Sequence, residues 1–307
     1  MIEIYQKTIK SSALAKIDSC KPGSFIYALS PTKEELEKMS QDFNLDLGLL
    51  NDAVDPNEVP RMEYRNNIAY IFTRVPIHEN GGAITMPILI ILSETYLALI
   101  TKHQPPFMET FLQEKIDFCT TQKIKMFTQI FSEINSLYYN FLNEINKKAR
   151  HIISLNPHRI DNEDILRLVK YENMLNDFLS ALIPTNTILQ NILSGKFFKL
   201  FPEDQDLIED MFLLNGQLLE LSKSNLHTIE SIRSGYSTIL SNNLNRIMKI
   251  LTAWTIILTI PTMVSSFFGM NIALPLQDHP LAFFLVIMIC LISCTGVIWF
   301  FTKSKWM

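Results

Sequence analysis

From Ile250 to Met307 the chain carries only three charged residues, Asp278, Lys303 and Lys305. The other 25 basic and 30 acidic residues all precede that point. A charge at the centre of a bilayer costs roughly 3 kcal/mol even on the most lenient scales. Long uncharged, apolar stretches are therefore what a hydrocarbon core selects. Two stand here, Ile250–Phe268 and Leu281–Phe301, of 19 and 21 residues. Each suffices to cross a core of about 30 Å. A polar body followed by two such spans excludes a plain cytosolic enzyme, a disordered chain and a small disulfide scaffold.

Arg246 and Lys249 flank the first span, and Lys303 and Lys305 follow the second. The link between them, residues 269–280, carries only Asp278 and is too short to hold a domain. The positive-inside rule places the large N-terminal body and the tail, residues 302–307, in the cytoplasm. The expected setting is the inner or plasma membrane. Trp306 fits an interfacial anchor. Met1 to Lys10 has no apolar core of the kind a secretory signal needs.

Residues 1–105 read as a cytoplasmic α/β domain. Apolar, β-rich runs occur at Ser24–Leu29, Ile68–Val75, Pro87–Leu92 and Tyr96–Thr101. Thr32 and Glu35 have capping-box spacing and predict a helix through Phe43. Gly81-Gly82 predicts a turn. Residues 106–201 read as a long helical hairpin. Apolar residues recur at three and four over 107–155, Asn156-Pro157 breaks the pattern, and a second helix runs from Asp161 to about Leu193 with a kink at Pro184. Residues 202–249 predict a stalk helix that continues into the first span, residues 250–268. Unbroken from Pro202 to Phe268, it rises roughly 100 Å. Gly216 and Gly235 interrupt its propensity; close helix packing is the expected reason, a hinge the alternative.

Several chemistries find no support. Cys20, Cys119, Cys290 and Cys294 form no C-x-x-C pair. The six histidines make no helical ligand pair, and the mildly acidic balance disfavours nucleic acid. There is no phosphate-binding G-x-x-x-x-G-K-[ST] loop and no nucleophile–base pair, so neither an ATP-driven pump nor an enzyme is expected.

The first span carries hydroxyls at Thr252, Thr255, Thr259, Thr262 and Ser266. Steps of 3, 4, 3 and 4 place all five on one helical face, which Asn245 and Met248 extend toward the cytoplasm. Two readings stand. The hydroxyls can bond back to their own helix or join helices. They can also line a wetted pore. Two spans cannot enclose a pore alone, so the second reading requires a ring of subunits, first span inside and second span outside. A wall without carboxylates suits an ion that keeps its water shell, as magnesium does.

The first span ends in Phe268-Gly269-Met270-Asn271. Gly-Met-Asn between two C-terminal spans, with a Lys-containing tail ending near Trp306, resembles the CorA family of divalent-cation channels. Tyr236 through Thr252, YSTILSNNLNRIMKILT, is similar to the family's inner helix. Pro60-Arg61-Met62-Glu63 is similar to its Pro-Arg-x-Glu stretch. The resemblance covers essentially the whole chain. It implies a homopentameric funnel in which Gly269, Met270 and Asn271 form the outer entrance. The pore face carried over is Asn245, Met248, Leu251, Thr255, Thr259, Thr262 and Ser266. Met248 and Leu251 form the hydrophobic constriction, so Leu251 rather than Thr252 takes the narrow end.

The resemblance also implies a cytoplasmic regulatory metal site between subunits, with Asp52 and Asp210 at the matching positions. Acidic residues crowding a helix start around Glu203–Asp210 have a second explanation, the helix dipole. The ions implied are Mg2+, transported and regulatory, with Co2+ or Ni2+ as further cargo. The family's acidic loop after the Asn is replaced here by Ile272 to Gln277, leaving Asp278 alone at the mouth. The expected function is a passive Mg2+ channel in the bilayer, closed by cytoplasmic Mg2+. The alternatives are a Zn2+, Co2+ or Ni2+ transporter on the same fold and a membrane-tethered scaffold. Met270 favours magnesium, because the family's zinc-handling branch tends to differ at this Met.

Overall fold

The computed structural model describes residues 1–11, 13–79, 82–154, 162–195, 200–271 and 281–304. By contacts the chain divides into two compact units, Met1–Ile232 and Arg233–Met307.

The first unit is built on a seven-stranded sheet. Its strands are β1 (Ile2–Gln6), β2 (Ala15–Lys16), β3 (Ser24–Leu29), β4 (Arg61–Arg65), β5 (Ile68–Glu79), β6 (Gly82–Leu92) and β7 (Tyr96–Thr101). The order is β2-β1-β3-β7-β6-β5-β4, with β3 and β7 parallel and every other pair antiparallel. The central strands are apolar on both faces, the pattern of a sheet covered on both sides. Ile26, Tyr70, Phe72, Ala98 and Ile100 face a core filled by α1 (Lys33–Phe43) and α2 (Leu47–Asp52). Phe25, Tyr27, Ile71, Leu97 and Leu99 face a larger core. That core is filled by α3 (Met108–Leu112), α4 (Lys123–Ser154), α5 (Asn162–Leu193) and the first part of α6 (Pro202–Phe268).

Local chemistry explains several boundaries. Thr32 caps α1 as its spacing predicts: its hydroxyl accepts from the Glu35 N–H, and the Glu35 carboxylate accepts from the Thr32 N–H. Asp46 caps α2 by accepting from the Leu49 N–H, which holds its carboxyl below the ordinary range. Gly195, at a φ of 65°, supplies the left-handed residue that ends α5. Pro184 lies within α5, which is assigned as one helix through it. Gly81 and the Asn156-Pro157 break lie outside the described residues.

Two expectations need correction, and four elements were not anticipated. The helix predicted over 107–155 is two helices, because residues 113–122 leave the helical path. Glu114 takes a left-handed φ of 53°, and Thr120 bonds to both the N–H and the carbonyl of Lys7 at 2.9 and 3.1 Å. Strands β1, β2 and β4 and helix α2 carry no strong local signal. β1 and β4 are short, charged and paired across long sequence separations or at the sheet edge. Finally, a Cβ added at Gly216 or Gly235 would meet no atom within 4 Å. Close packing within the chain is therefore not what these glycines serve.

The second unit holds the remainder of α6 and α7 (Ala282–Lys303). Both α6 and α7 contain windows long and apolar enough to cross a membrane.

Candidate functional site

In the second unit α6 and α7 share one narrow contact. Ala253 and Ile257 of α6 and Phe301 of α7 are buried, and the Cys294 thiol lies 3.8 Å from the Ile257 carbonyl oxygen. Residues advance about 100° around a helix. Ala253 and Ile257 therefore define one side of α6, and the hydroxyl stripe falls on the opposite side. Thr252, Thr255, Thr259, Thr262 and Ser266 are all exposed, as are Asn245, Met248 and Leu251. Met248 and Leu251 are each 59% exposed, large apolar side chains next to the stripe.

Four of the hydroxyls donate to their own helix. Thr252 bonds the carbonyl of Met248 at 2.8 Å, Thr255 that of Leu251 at 2.9 Å, Thr259 that of Thr255 at 2.7 Å and Thr262 that of Leu258 at 3.0 Å. A hydroxyl has one proton and two lone pairs. Once the proton is committed to the helix, only acceptors face outward. The two readings of the stripe are thus compatible: back-bonding satisfies the donor and leaves an acceptor-lined surface.

α6 ends at Phe268. The Gly269 N–H donates to the Ser265 carbonyl at 3.0 Å and the Met270 N–H to that of Phe267 at 3.3 Å. A Cβ at position 269 would sit 3.3 Å from the Ser265 carbonyl oxygen, closer than nearly all real contacts of that kind. Past this point Met270 and Asn271, both exposed, lie at the end of the stripe helix. Asp278 lies outside the described residues, as do Lys305 and Trp306.

The cytoplasmic carboxylates lie in the first unit. Asp52 closes α2 and pairs with Arg61 of β4 at 2.7 Å. Arg61 also holds Glu63 at 3.0 Å and Glu58, and its guanidinium lies 4.4 Å from the centre of the Phe72 ring. Glu63 in turn holds Arg65 at 2.7 Å, and Arg65 holds Asp46. The two carboxylates raise the Arg65 pKa, the hydrogen bond to Glu63 being the largest single cause. Asp52 is legible through the family resemblance, whereas Arg61 enters there only as part of the Pro60-Arg61-Met62-Glu63 stretch. Arg61's partners could have been suspected from the alternation of Arg61, Glu63 and Arg65, which puts all three on one face of β4. Asp210 stands on an exposed face of α6. Among the described residues no group of three or more His, Cys, Asp or Glu side chains is placed to hold a metal. Asp52 and Asp210 of one chain share no hydrogen bond or ion pair among the described residues.

Comparison with known proteins agrees with this architecture. Residues 24–303 match the family described as CorA-like Mg2+ transporter protein. The cobalt/magnesium transport protein CorA of Methanocaldococcus jannaschii is 26% identical over 296 residues, which is 92% of this chain and 90% of that protein. The complete structure of the CorA magnesium transporter from the same organism superposes with a TM-score of 0.86 at 22% identity, covering 100% of this chain and 99% of that one. Full-length CmaX superposes at 0.73 with 13% identity over 99% and 97% of the two chains. The ZntB cytoplasmic domain from Vibrio parahaemolyticus superposes at 0.65 with 9% identity over 78% and 98%. The last two likenesses extend the fold across proteins of little sequence similarity. With the family match spanning an α/β body, a long helix and two apolar C-terminal helices, this chain belongs to the CorA-like Mg2+ transporter family.

Proposed function

We propose that the protein is a gated, passive channel that admits hydrated Mg2+ to the cytoplasm. Five copies form the ring, with both termini cytoplasmic, α6 on the inside and α7 toward lipid. The observation that carries this reading is the hydroxyl stripe on the side of α6 away from α7, where four threonines give their protons to the helix and turn acceptors outward. A hydrated divalent cation turns its water protons outward. It needs a wall of acceptors and no displaced waters, and magnesium gives up its waters reluctantly. A membrane potential of 100 mV drives a divalent ion inward by about 4.6 kcal/mol, twice the single-charge value.

In this reading Gly269, Met270 and Asn271 form the outer entrance, where the Asn271 side chain and the Gly269 carbonyl meet the hydrated ion, and Met248 and Leu251 close the pore by dewetting. Asn245, Thr255, Thr259, Thr262 and Ser266 supply the remaining wall. Asp52 of one subunit and Asp210 of its neighbour repel each other until a cytoplasmic divalent cation bridges them and holds the ring closed. Residues 1–105, 106–201 and 202–249 then form the cytoplasmic funnel, residues 250–268 and 281–301 the two spans, residues 269–280 the outer loop and residues 302–307 the tail. Co2+ and Ni2+ are candidate further cargo; the name of the M. jannaschii relative includes cobalt.

The test is uptake by purified protein in liposomes containing a magnesium-sensitive dye, with Co2+, Ni2+ and Zn2+ as competitors. Asn271→Ala should abolish uptake. Uptake unchanged by that substitution removes the proposed entrance, and preference for Zn2+ over Mg2+ selects the zinc reading.

A further inference from the structure

We infer that Arg61 is a built-in competitor of the divalent cation at Asp52. This rests on the regulatory reading of Asp52 given above. The guanidinium offers five N–H donors in a fixed fork, and here three carboxylates share it: Asp52 at 2.7 Å, Glu63 at 3.0 Å, and Glu58. They are not equivalent. The Glu58 side chain is 11% exposed and that of Glu63 is 28% exposed, whereas that of Asp52 is 43% exposed. Removing Arg61 from Glu58 would strand a largely dehydrated carboxylate, which is costly. Removing it from Asp52 returns an accessible carboxylate to water and leaves Arg61 two partners and the Phe72 ring, 4.4 Å away. The stacked ring and Glu58 therefore anchor the guanidinium, and Asp52 is the partner it can release.

A cation approaching Asp52 finds Oδ2 already accepting an Arg61 N–H, so it competes for that oxygen, and it must tolerate a fixed positive charge beside it. Both effects weaken binding. Among the described residues, four carboxylates, Asp46, Asp52, Glu58 and Glu63, outnumber the three guanidinium groups at the patch, Arg61, Arg65 and Arg74, the last bonded to the Glu58 carbonyl, so the patch keeps a negative excess. Arg61 thus sets how much cytoplasmic Mg2+ is needed before the bridge to the neighbouring Asp210 forms.

The test uses the full chain in liposomes and reads the internal Mg2+ concentration that halves uptake. The key variant is Arg61→Met with Glu58→Gln. Methionine keeps an apolar stem over Phe72. The glutamine removes the carboxylate that would otherwise be stranded, and the pair of changes leaves net charge unaltered. Loss of a partly exposed ion pair predicts a midpoint lowered by about fivefold. Arg61→Lys, a second variant that keeps the charge but loses the fork, should fall between. A midpoint that is unchanged or raised in the double variant overturns the role of Arg61, provided Asp52→Ala has raised it. If Asp52→Ala leaves the midpoint at the wild-type value, the regulatory reading of Asp52 itself fails, and the role of Arg61 with it. Adding Asp52→Ala to the double variant should restore the Asp52→Ala midpoint, because the competition no longer has an object.

Discussion

A threonine inside a membrane span has two obligations, to satisfy its hydroxyl proton and to occupy a face. Thr259 meets the first by donating to the Thr255 carbonyl at 2.7 Å, and it stands exposed on the face away from α7. If its lone pairs contact the hydration shell of a passing ion, Thr259→Val should lower uptake by about fivefold, the worth of a hydrogen bond of ~1 kcal/mol. Thr259→Ser keeps the oxygen and should stay near wild type. Valine keeps the branched shape at Cβ, so equal uptake by both variants would assign the stripe to helix self-satisfaction alone. The stripe itself was readable in the sequence, since spacing alone puts five hydroxyls on one face. Which way that face points was not readable. It follows from where Ala253 and Ile257 are covered, a property of α7 and not of α6.

At the scale of elements, helix α1 was legible down to its cap and strand β1 was not. The cap is a local device: Thr32 and Glu35 exchange hydrogen bonds over three residues, and Glu35 also pairs with the chain's N-terminal ammonium at 3.1 Å. Thr32→Ala should cost about 1 kcal/mol of stability in the first unit. Urea unfolding followed by far-ultraviolet circular dichroism checks this. Tryptophan fluorescence would miss it, because Trp254, Trp299 and Trp306 all lie in the second unit. An unchanged midpoint would mean that packing of Leu36 and Met39 against the sheet holds α1 without its cap. β1 has no such local device. It pairs with β2 and β3, and its five residues are only partly buried, so no apolar run marks it. The long helices are the opposite case. The bounds of α6 coincide with the Pro202 to Phe268 range expected from spacing, because a helix is a repeated local interaction and its periodicity needs no partner to be visible.

For the whole molecule, one chain supplies one stripe, and a stripe is not a pore. The ring requires copies, and mass measurement of the detergent-solubilised protein should give about five chains per particle. A monomer would end the channel reading, whatever the family. The exposed apolar residues Met248 and Leu251 belong to the same question. Side chains of that size left exposed on a helix near the membrane interface are either covered by neighbouring copies or face a dewetted constriction. Replacing both by Ser should leave the particle size intact and raise leak through the closed state. A particle that falls apart instead would assign them to assembly.

The sequence by itself determined the two apolar spans, the hydroxyl face and most of the long helices. Each depends on composition or on a period shorter than two helical turns. The tertiary structure decided what depends on distant residues meeting. It set the seven-strand order and the break at residues 113–122, where Thr120 returns to Lys7. It also brought Arg61 of β4 against Asp52 at the end of α2, whereas Glu58 and Glu63 are near Arg61 in sequence. The physical reason is common to all three. Local hydrogen bonds and periodic burial are written along the chain, whereas an ion pair between a helix end and a neighbouring strand exists only once the sheet has brought them together.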